Sequence, residues 1–191
     1  MASFEKEYEI LRHEIDQKLE LENTLLTFTI TSTILVLTVA ASERITILYL
    51  FPFCIIIPMA TRILYYIKAI VKLSAYMIVF LEPKMENFNW EVRNYTFSKK
   101  FGGLRNGKDL FKLNYFELFI LSFVSYFLYL LDYISLFSGQ LSTLELSGAI
   151  LPAFFLLWVT IITHKMNRAD KYRQEFINYW KEIKIEETET H

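Results

Sequence analysis

Residues 24–41, TLLTFTITSTILVLTVAA, run for eighteen positions without a charge, and residues 45–61, ITILYLFPFCIIIPMAT, for seventeen more. Each is long enough to cross roughly 30 Å of hydrocarbon as a helix. Only Ser42, Glu43 and Arg44 separate them, so the two read as a hairpin. A second pair follows. Leu113–Phe137, which contains Glu117 and Asp132, is joined to Leu146–Thr163 by the polar turn Ser138–Thr143. A chain of 191 residues cannot bury four such stretches inside a water-soluble core. The expected fold is an all-α membrane protein with four transmembrane helices in two hairpins and cytosolic helical extensions. Its segments are a cytosolic amphipathic helix (1–23), the first transmembrane hairpin (24–61), a basic cytosolic helix and loop (62–112), the second transmembrane hairpin (113–163) and a cytosolic C-terminal helix with an acidic tail (164–191).

The distribution of charge orients this arrangement. Net formal charge is −1, so the total carries no information about partners. Of twenty Lys and Arg residues, three precede the first span, ten lie between Arg62 and Lys112, six follow the fourth span, and only Arg44 sits on a short connecting turn. Basic residues near span ends stay cytoplasmic, which places both termini and the central segment on the inner side of a membrane crossed in several passes. The first 22 residues carry seven acids and no short apolar run before a small-residue cleavage site, so they read as a retained cytosolic segment. The single cysteine, Cys54, lies within the second span and excludes an internal disulfide framework.

Phe4, Tyr8, Leu11, Ile15 and Leu19 recur at steps of four and three, predicting an amphipathic helix that needs a partner. That partner is either another helix of the chain or a second copy in a homo-oligomer. In the first span Thr24, Thr27, Thr31 and Thr38 fall on one side, as a packing face or as the lining of a pore. Pro52 and Pro58 each remove a backbone donor from the second span. The helix should then continue to Glu82 and stop at Pro83. Between Trp90 and Phe97 the alternation suits a short strand, with Asn106-Gly107 as the turn of a small hairpin. Beyond the fourth span, Met166, Ala169, Arg173, Phe176, Trp180 and Ile183 predict a helix that leaves the membrane and continues to about Ile185, with a frayed acidic end.

No phosphate-cradling glycine loop, metal-ligand spacing or nucleophile motif is present, so no enzyme activity, cofactor or metal site is expected. His13, His164 and His191 form no ligand set. Glu117 and Asp132 are the intramembrane acids; fifteen residues apart, they sit about 22 Å from each other on one helix. That spacing favours two interfacial carboxylates, with a cation-attracting ring in an oligomer as the alternative. The central segment sets ten cations against Glu82, Glu86, Glu91 and Asp109. Anionic lipid of the inner leaflet is the simplest partner, reinforced by Trp90. Arg62, Lys68, Lys72, Arg93, Lys99, Lys100 and Arg105 are also candidates for holding a partner or an anion. A nucleotide or nucleic acid could use Tyr76 or Trp90 as a stacking surface, although no motif calls for one.

The helix from Phe4 to Glu22, the close pair of spans and the stretch from Lys72-Leu73-Ser74-Ala75-Tyr76 to Trp90-Glu91 resemble small bacterial membrane proteins of antiphage defence systems. Residues 1–95 are similar to the SLATT-type two-span effector domain, and the four-span organisation resembles the membrane component of the Kiwa defence system. The resemblance implies an oligomeric inner-membrane effector or sensor. On activation by a cytosolic signal, or by a protein partner from the same operon, it would form a pore or perturb the membrane. A non-enzymatic scaffold that recruits a soluble partner through the basic segment is the alternative, and a small transporter the third reading.

Overall fold

The computed structural model describes residues 2–85, 89–105, 115–135 and 143–189, and among them every regular element is helical. Helix α1 (Ala2–Glu43) ends where Arg44 adopts a left-handed backbone at φ 52°, followed by extended Ile45 at φ −97° and ψ 98°. A left-handed residue stops a helix because its carbonyl no longer continues the ladder. A 3₁₀ segment (Thr46–Leu50) leads into α2 (Phe51–Tyr76). Pro52 sits in the first turn of α2, where its missing N–H costs nothing, whereas Pro58 lies in the helix interior. A π-turn (Met77–Leu81) and a 3₁₀ turn (Glu82–Lys84) follow without a coil between them. The remaining elements are α3 (Trp90–Arg105), α4 (Phe116–Ser135), α5 (Thr143–Met166) and α6 (Ala169–Glu189).

Three helical stretches, Phe4–Glu43, Thr46–Lys84 and Phe116–Ser135, are long and apolar enough to cross a membrane, and Pro152–Met166 is a shorter apolar stretch. In their most apolar windows only 17, 33 and 22% of residues are buried by protein. Apolar area left uncovered to that extent is what a bilayer, rather than water, would solvate.

The chain divides into two compact units. One, the polar unit, holds most of the charged residues and is formed by Met1–Glu22, Tyr65–Lys112 and Arg168–His191. Here the end of α2 and the π-turn are central. Met77 and Leu81, one turn apart, pack with Tyr8 and Ile15 of α1, and Phe4 and Leu11 close over them. Ala75 and Val79 instead pack with Ile177 of α6, joined by Phe176, Trp180 and Tyr95. The predicted α1 seam therefore finds its partner within the same chain, apart from Leu19, which stays 40% exposed.

Two expectations in this unit are corrected. Trp90–Phe97 is helical, part of α3, where a strand was predicted; Asn106-Gly107, its proposed turn, lies outside the described residues. The β-favouring aromatic and branched side chains there are outweighed by Asn89 at the helix start and by a carboxylate that caps the first turn, described below. The C-terminal helix is not continuous with the fourth apolar stretch, because Asn167 and Arg168 form a turn between α5 and α6. It then runs past Ile185 to Glu189, a stretch without Gly or Pro in which Thr188 bonds back to the carbonyls of Lys184 and Ile185.

The apolar unit comprises Asn23–Leu64 and Leu113–Asn167. Ala40, Tyr49 and Tyr129 form one buried cluster of this unit, with Leu37, Leu50 and Tyr126 around them. Ser125 donates to the Tyr49 carbonyl, so α4 satisfies an acceptor that the 3₁₀ segment leaves open. Helices α4 and α5 approach closely at Gly148, whose carbonyl accepts the Tyr129 hydroxyl at 3.0 Å. A Cβ on Gly148 would meet the Tyr133 hydroxyl. Glycine at this position lets the helix backbones approach, as small residues do in membrane bundles. Gly148→Ile is therefore expected to destabilise the detergent-solubilised protein by about 1–3 kcal/mol, the cost of overpacking. Gly148→Ala should cost less, because the flexible end of Tyr133 can yield; equal thermal unfolding of both variants and the parent would contradict this packing.

Candidate functional site

The densest polar arrangement among the described residues lies where α1, α2 and α3 meet in the polar unit. Glu82 stands at the 3₁₀ turn after α2 and is 1% exposed. Its carboxylate accepts the Glu91 N–H at 2.6 Å and the Val92 N–H at 3.0 Å. These are first-turn donors of α3 that have no partner within the helix, so Glu82 performs the work of an N-cap from eight residues before the helix begins. The negative charge also faces the positive end of the α3 dipole.

Glu91, held in place by that cap, turns its own carboxylate inward and is 4% exposed. It accepts Nη1 of Arg12 at 2.8 Å and the Ser74 hydroxyl at 2.7 Å, joining α1, α2 and α3 at one side chain. Arg12 also approaches Asp16 at 3.8 Å on its own helix. Alongside, Tyr76 donates to Glu7 at 2.8 Å and stacks on Phe80, with Trp180 edge-on. Helix α6 is fastened by Trp180 Nε1 to the Lys72 carbonyl at 3.2 Å and by Lys184 Nζ to the Val79 carbonyl at 2.8 Å. The latter carbonyl lies in the π-turn, where the helical ladder is locally disturbed.

The electrostatics follow from burial. The Tyr8 hydroxyl is pushed up to about 12, first by desolvation and then by the neighbouring Glu82 and Glu91 charges, against the opposing pull of Arg12. Tyr76 is likewise pushed up to about 12 by burial and by its bond to Glu7. Both phenols stay neutral, and Tyr76 donates to Glu7. Burial also raises the Glu82 carboxyl; the two amide donors oppose the rise, the Glu91 charge adds to it, and Arg93 works against it. The carboxylates of Glu82 and Glu91 each receive two donors from the protein itself. This is the construction of a clamp between helices.

The sequence-predicted residues are placed as follows. Thr24, Thr27, Thr31 and Thr38 share an exposed face of α1, and the Thr31 and Thr38 hydroxyls bond to carbonyls one turn back. Thr29 and Thr33 are the buried threonines of α1. Glu117 is exposed in the first turn of α4, where a carboxylate favours the helix terminus. Asp132 is half-buried and accepts the Thr46 hydroxyl.

The cations do not converge. Lys68 lies over the Tyr172 ring at 4.7 Å and Lys72 over the Trp180 ring at 5.7 Å, both against α6, and Arg93 and Lys100 lie on α3. Arg62 is exposed and belongs to the apolar unit. Lys99 and Arg105 fall in α3, but their side chains lie outside the described ones. Tyr76, proposed as a stacking surface for a base, already has its ring engaged by Phe80 and Trp180, while Trp90 is exposed. A cavity of about 380 Å³ in the apolar unit is lined by Phe51, Phe53, Ile57, Pro58 and Phe155 beside Cys54, without converging polar groups. Among the described residues no group of three His, Cys, Asp or Glu could hold a metal.

Sequence reading missed the roles of Glu82, Glu91, Ser74 and Arg12. A signal was present in Asn89, a helix-start residue directly before Trp90-Glu91, which favours a helix over the strand. Comparison with protein-family models, with characterised proteins and with solved structures gives no match.

Arg12→Ala leaves the buried Glu91 carboxylate without its counter-charge, whereas Glu91→Gln keeps a group that can accept from Ser74. The first should cost about 1–3 kcal/mol and the second less, with a double-mutant coupling of about 1 kcal/mol in denaturant unfolding. Strict additivity of the two would show that the contact carries no energy. Because the Glu82 pKa is raised on folding, its contribution is fullest below the unfolded value of about 4.3 and is lost as pH rises through the folded value. The stability of the parent relative to Glu82→Gln should therefore increase as pH falls from 7 toward about 4.5, and a pH-independent difference would refute the linkage.

Proposed function

We propose that this chain is an oligomeric, non-enzymatic protein of the bacterial inner membrane that acts as the effector or sensor of an antiphage defence system. In this reading α1, α2, α4 and α5 cross the bilayer as two hairpins, and α5, with 24 residues, is about 36 Å long. Both termini and the polar unit lie on the cytoplasmic side. A cytosolic signal, or a partner from the same operon, acts on the polar unit, and the spans respond by opening a path or perturbing the bilayer.

The observation that carries this reading is the reach of α1 and α2. Each contributes a residue to the Glu91 clamp, Arg12 and Ser74, and each is also part of a stretch apolar enough to span. A helix is stiff along its axis, so a change in how the clamp holds α1 against α2 is felt further along both helices. The resemblance of residues 1–95 to SLATT-type effectors adds weight, because Ser74 and Glu91 both fall in the stretch that carries it. The exposed face of α1 with Thr24, Thr27, Thr31 and Thr38 supplies a surface on which copies can meet around a path.

The test is membrane potential in cells that express the protein with its neighbouring genes under phage challenge. Depolarisation is expected on infection, and Thr27→Val with Thr31→Val should change the conductance of reconstituted protein. Unchanged potential in cells that remain protected would rule out the permeability function.

A further inference from the structure

Described ion pairs of the polar unit set Arg12 against Glu91 and Asp16, Lys18 against Glu14 and Lys171 against Glu175. The seam between α2 and α6 is built differently. Lys68 holds its ammonium 4.7 Å from the centre of the Tyr172 ring and Lys72 holds its own 5.7 Å from that of Trp180, so both face the stretch of α6 from Tyr172 to Trp180. Arg173 lies in that stretch. One turn later and about 40° around the helix, Ile177 packs on Ala75 of α2 and Val79 of the π-turn, which puts Arg173 toward the same seam. Its Nε–H is buried and has no hydrogen-bond partner. Among the described residues no carboxylate pairs with Lys68, Lys72 or Arg173. A ring face attracts an ammonium but does not neutralise it. Lys184, a further cation of the seam, is satisfied by the Val79 carbonyl. Three positive charges therefore border one seam without an acid to offset them, and a buried donor without an acceptor calls for a group that the protein itself does not supply.

We infer that the α2–α6 seam binds a phosphate-bearing anion, with the Arg173 guanidinium donating to its oxygens and Lys68 and Lys72 supplying point charges. The chemistry of the three side chains selects phosphate. A guanidinium offers a planar fork that matches two oxygens of one group, and an ammonium can meet an oxygen from almost any direction. A phosphomonoester carries a charge of about −2 near neutral pH, whereas a single carboxylate would leave two of the cations unmatched. Access is open from solvent, because Lys72 is exposed and Lys68 and Arg173 are half-buried. A bound anion would also fasten α6 to α2, since its ligands come from both helices. The site lies wholly within the polar unit, so this inference depends neither on the number of spans nor on ion permeability.

The test uses the full chain in nanodiscs of phosphatidylcholine, with Trp90→Phe and Trp158→Phe so that Trp180 is the only indole left. Inorganic phosphate and pyrophosphate are titrated at constant ionic strength against a chloride control. Trp180 emission should change saturably, and the unfolding temperature should rise with concentration, as a ligand of the folded state requires. Arg173→Gln should weaken binding by roughly ten- to a hundredfold, the loss of charge-assisted hydrogen bonds, and Lys68→Met with Lys72→Met should weaken it comparably while circular dichroism stays helical. If either variant fails to fold, the parent's response against chloride carries the test by itself. A response to soluble phosphate or pyrophosphate assigns the ligand to a soluble phosphate compound, and a response only to phosphatidic acid added to the discs assigns it to a lipid headgroup; both support a phosphate site. A parent indifferent to all three beyond the chloride control overturns the proposal and leaves the Arg173 donor to water. A response that both sets of variants leave intact overturns it as well, because the anion would then bind elsewhere.

Discussion

The polar unit depends on the burial of two carboxylates. Ionised acids are expensive to remove from water unless each finds donors, and here the donors come from different parts of the chain. Glu82 takes the open N–H groups of α3, and Glu91 takes Arg12 of α1 and Ser74 of α2. The two are consecutive steps of one construction. Glu82 sets where α3 begins, and the start of α3 determines where the Glu91 side chain points. Displace either and the other is left buried beside Tyr8 without its partners.

Apolar packing supplies most of the area, but it does not discriminate well between neighbouring registers. Tyr8, Ile15, Met77 and Leu81 could slide by a turn and remain covered, since hydrophobic contact is non-directional. Hydrogen bonds to a buried carboxylate tolerate no such shift. The clamp therefore supplies register between α1 and α2, while the aromatic group of Tyr76, Phe80 and Trp180 and the bonds from Trp180 and Lys184 do the same for α6.

The apolar unit solves a different problem. Its described buried polar side chains are short hydroxyls, and Thr29, Ser122 and Thr163 donate to carbonyls one turn back on their own helices. Self-satisfied hydroxyls cost little and permit close approach, which suits surroundings that offer no water. Gly148 does the same by having no side chain at all. The acids of this unit are kept toward its helix ends, Glu117 in the first turn of α4 and Asp132 against Thr46.

Helical class, membrane-compatible length and the amphipathic seam of α1 could be read from residue order, because apolar run length and the 3.6-residue period are local properties. The seam's partner could not, although Tyr8 and Ile15 announced that one was required. Trp90–Phe97 shows the limit most clearly. Its alternation fits a strand as well as a helix, and the residue that settles the matter, Glu82, acts through space on donors that exist only once the helix has formed. Lys68, Lys72 and Tyr76 likewise look available in sequence and prove to be engaged by α6. Residue order determined that this chain is helical, with stretches apolar enough to span a membrane and its cations gathered outside them. Tertiary structure alone decided that Glu82 and Glu91 are buried and that α3 turns aromatic and basic side chains outward. The reason is that burial and hydrogen-bond partnership belong to pairs of distant residues, and periodicity describes one segment at a time.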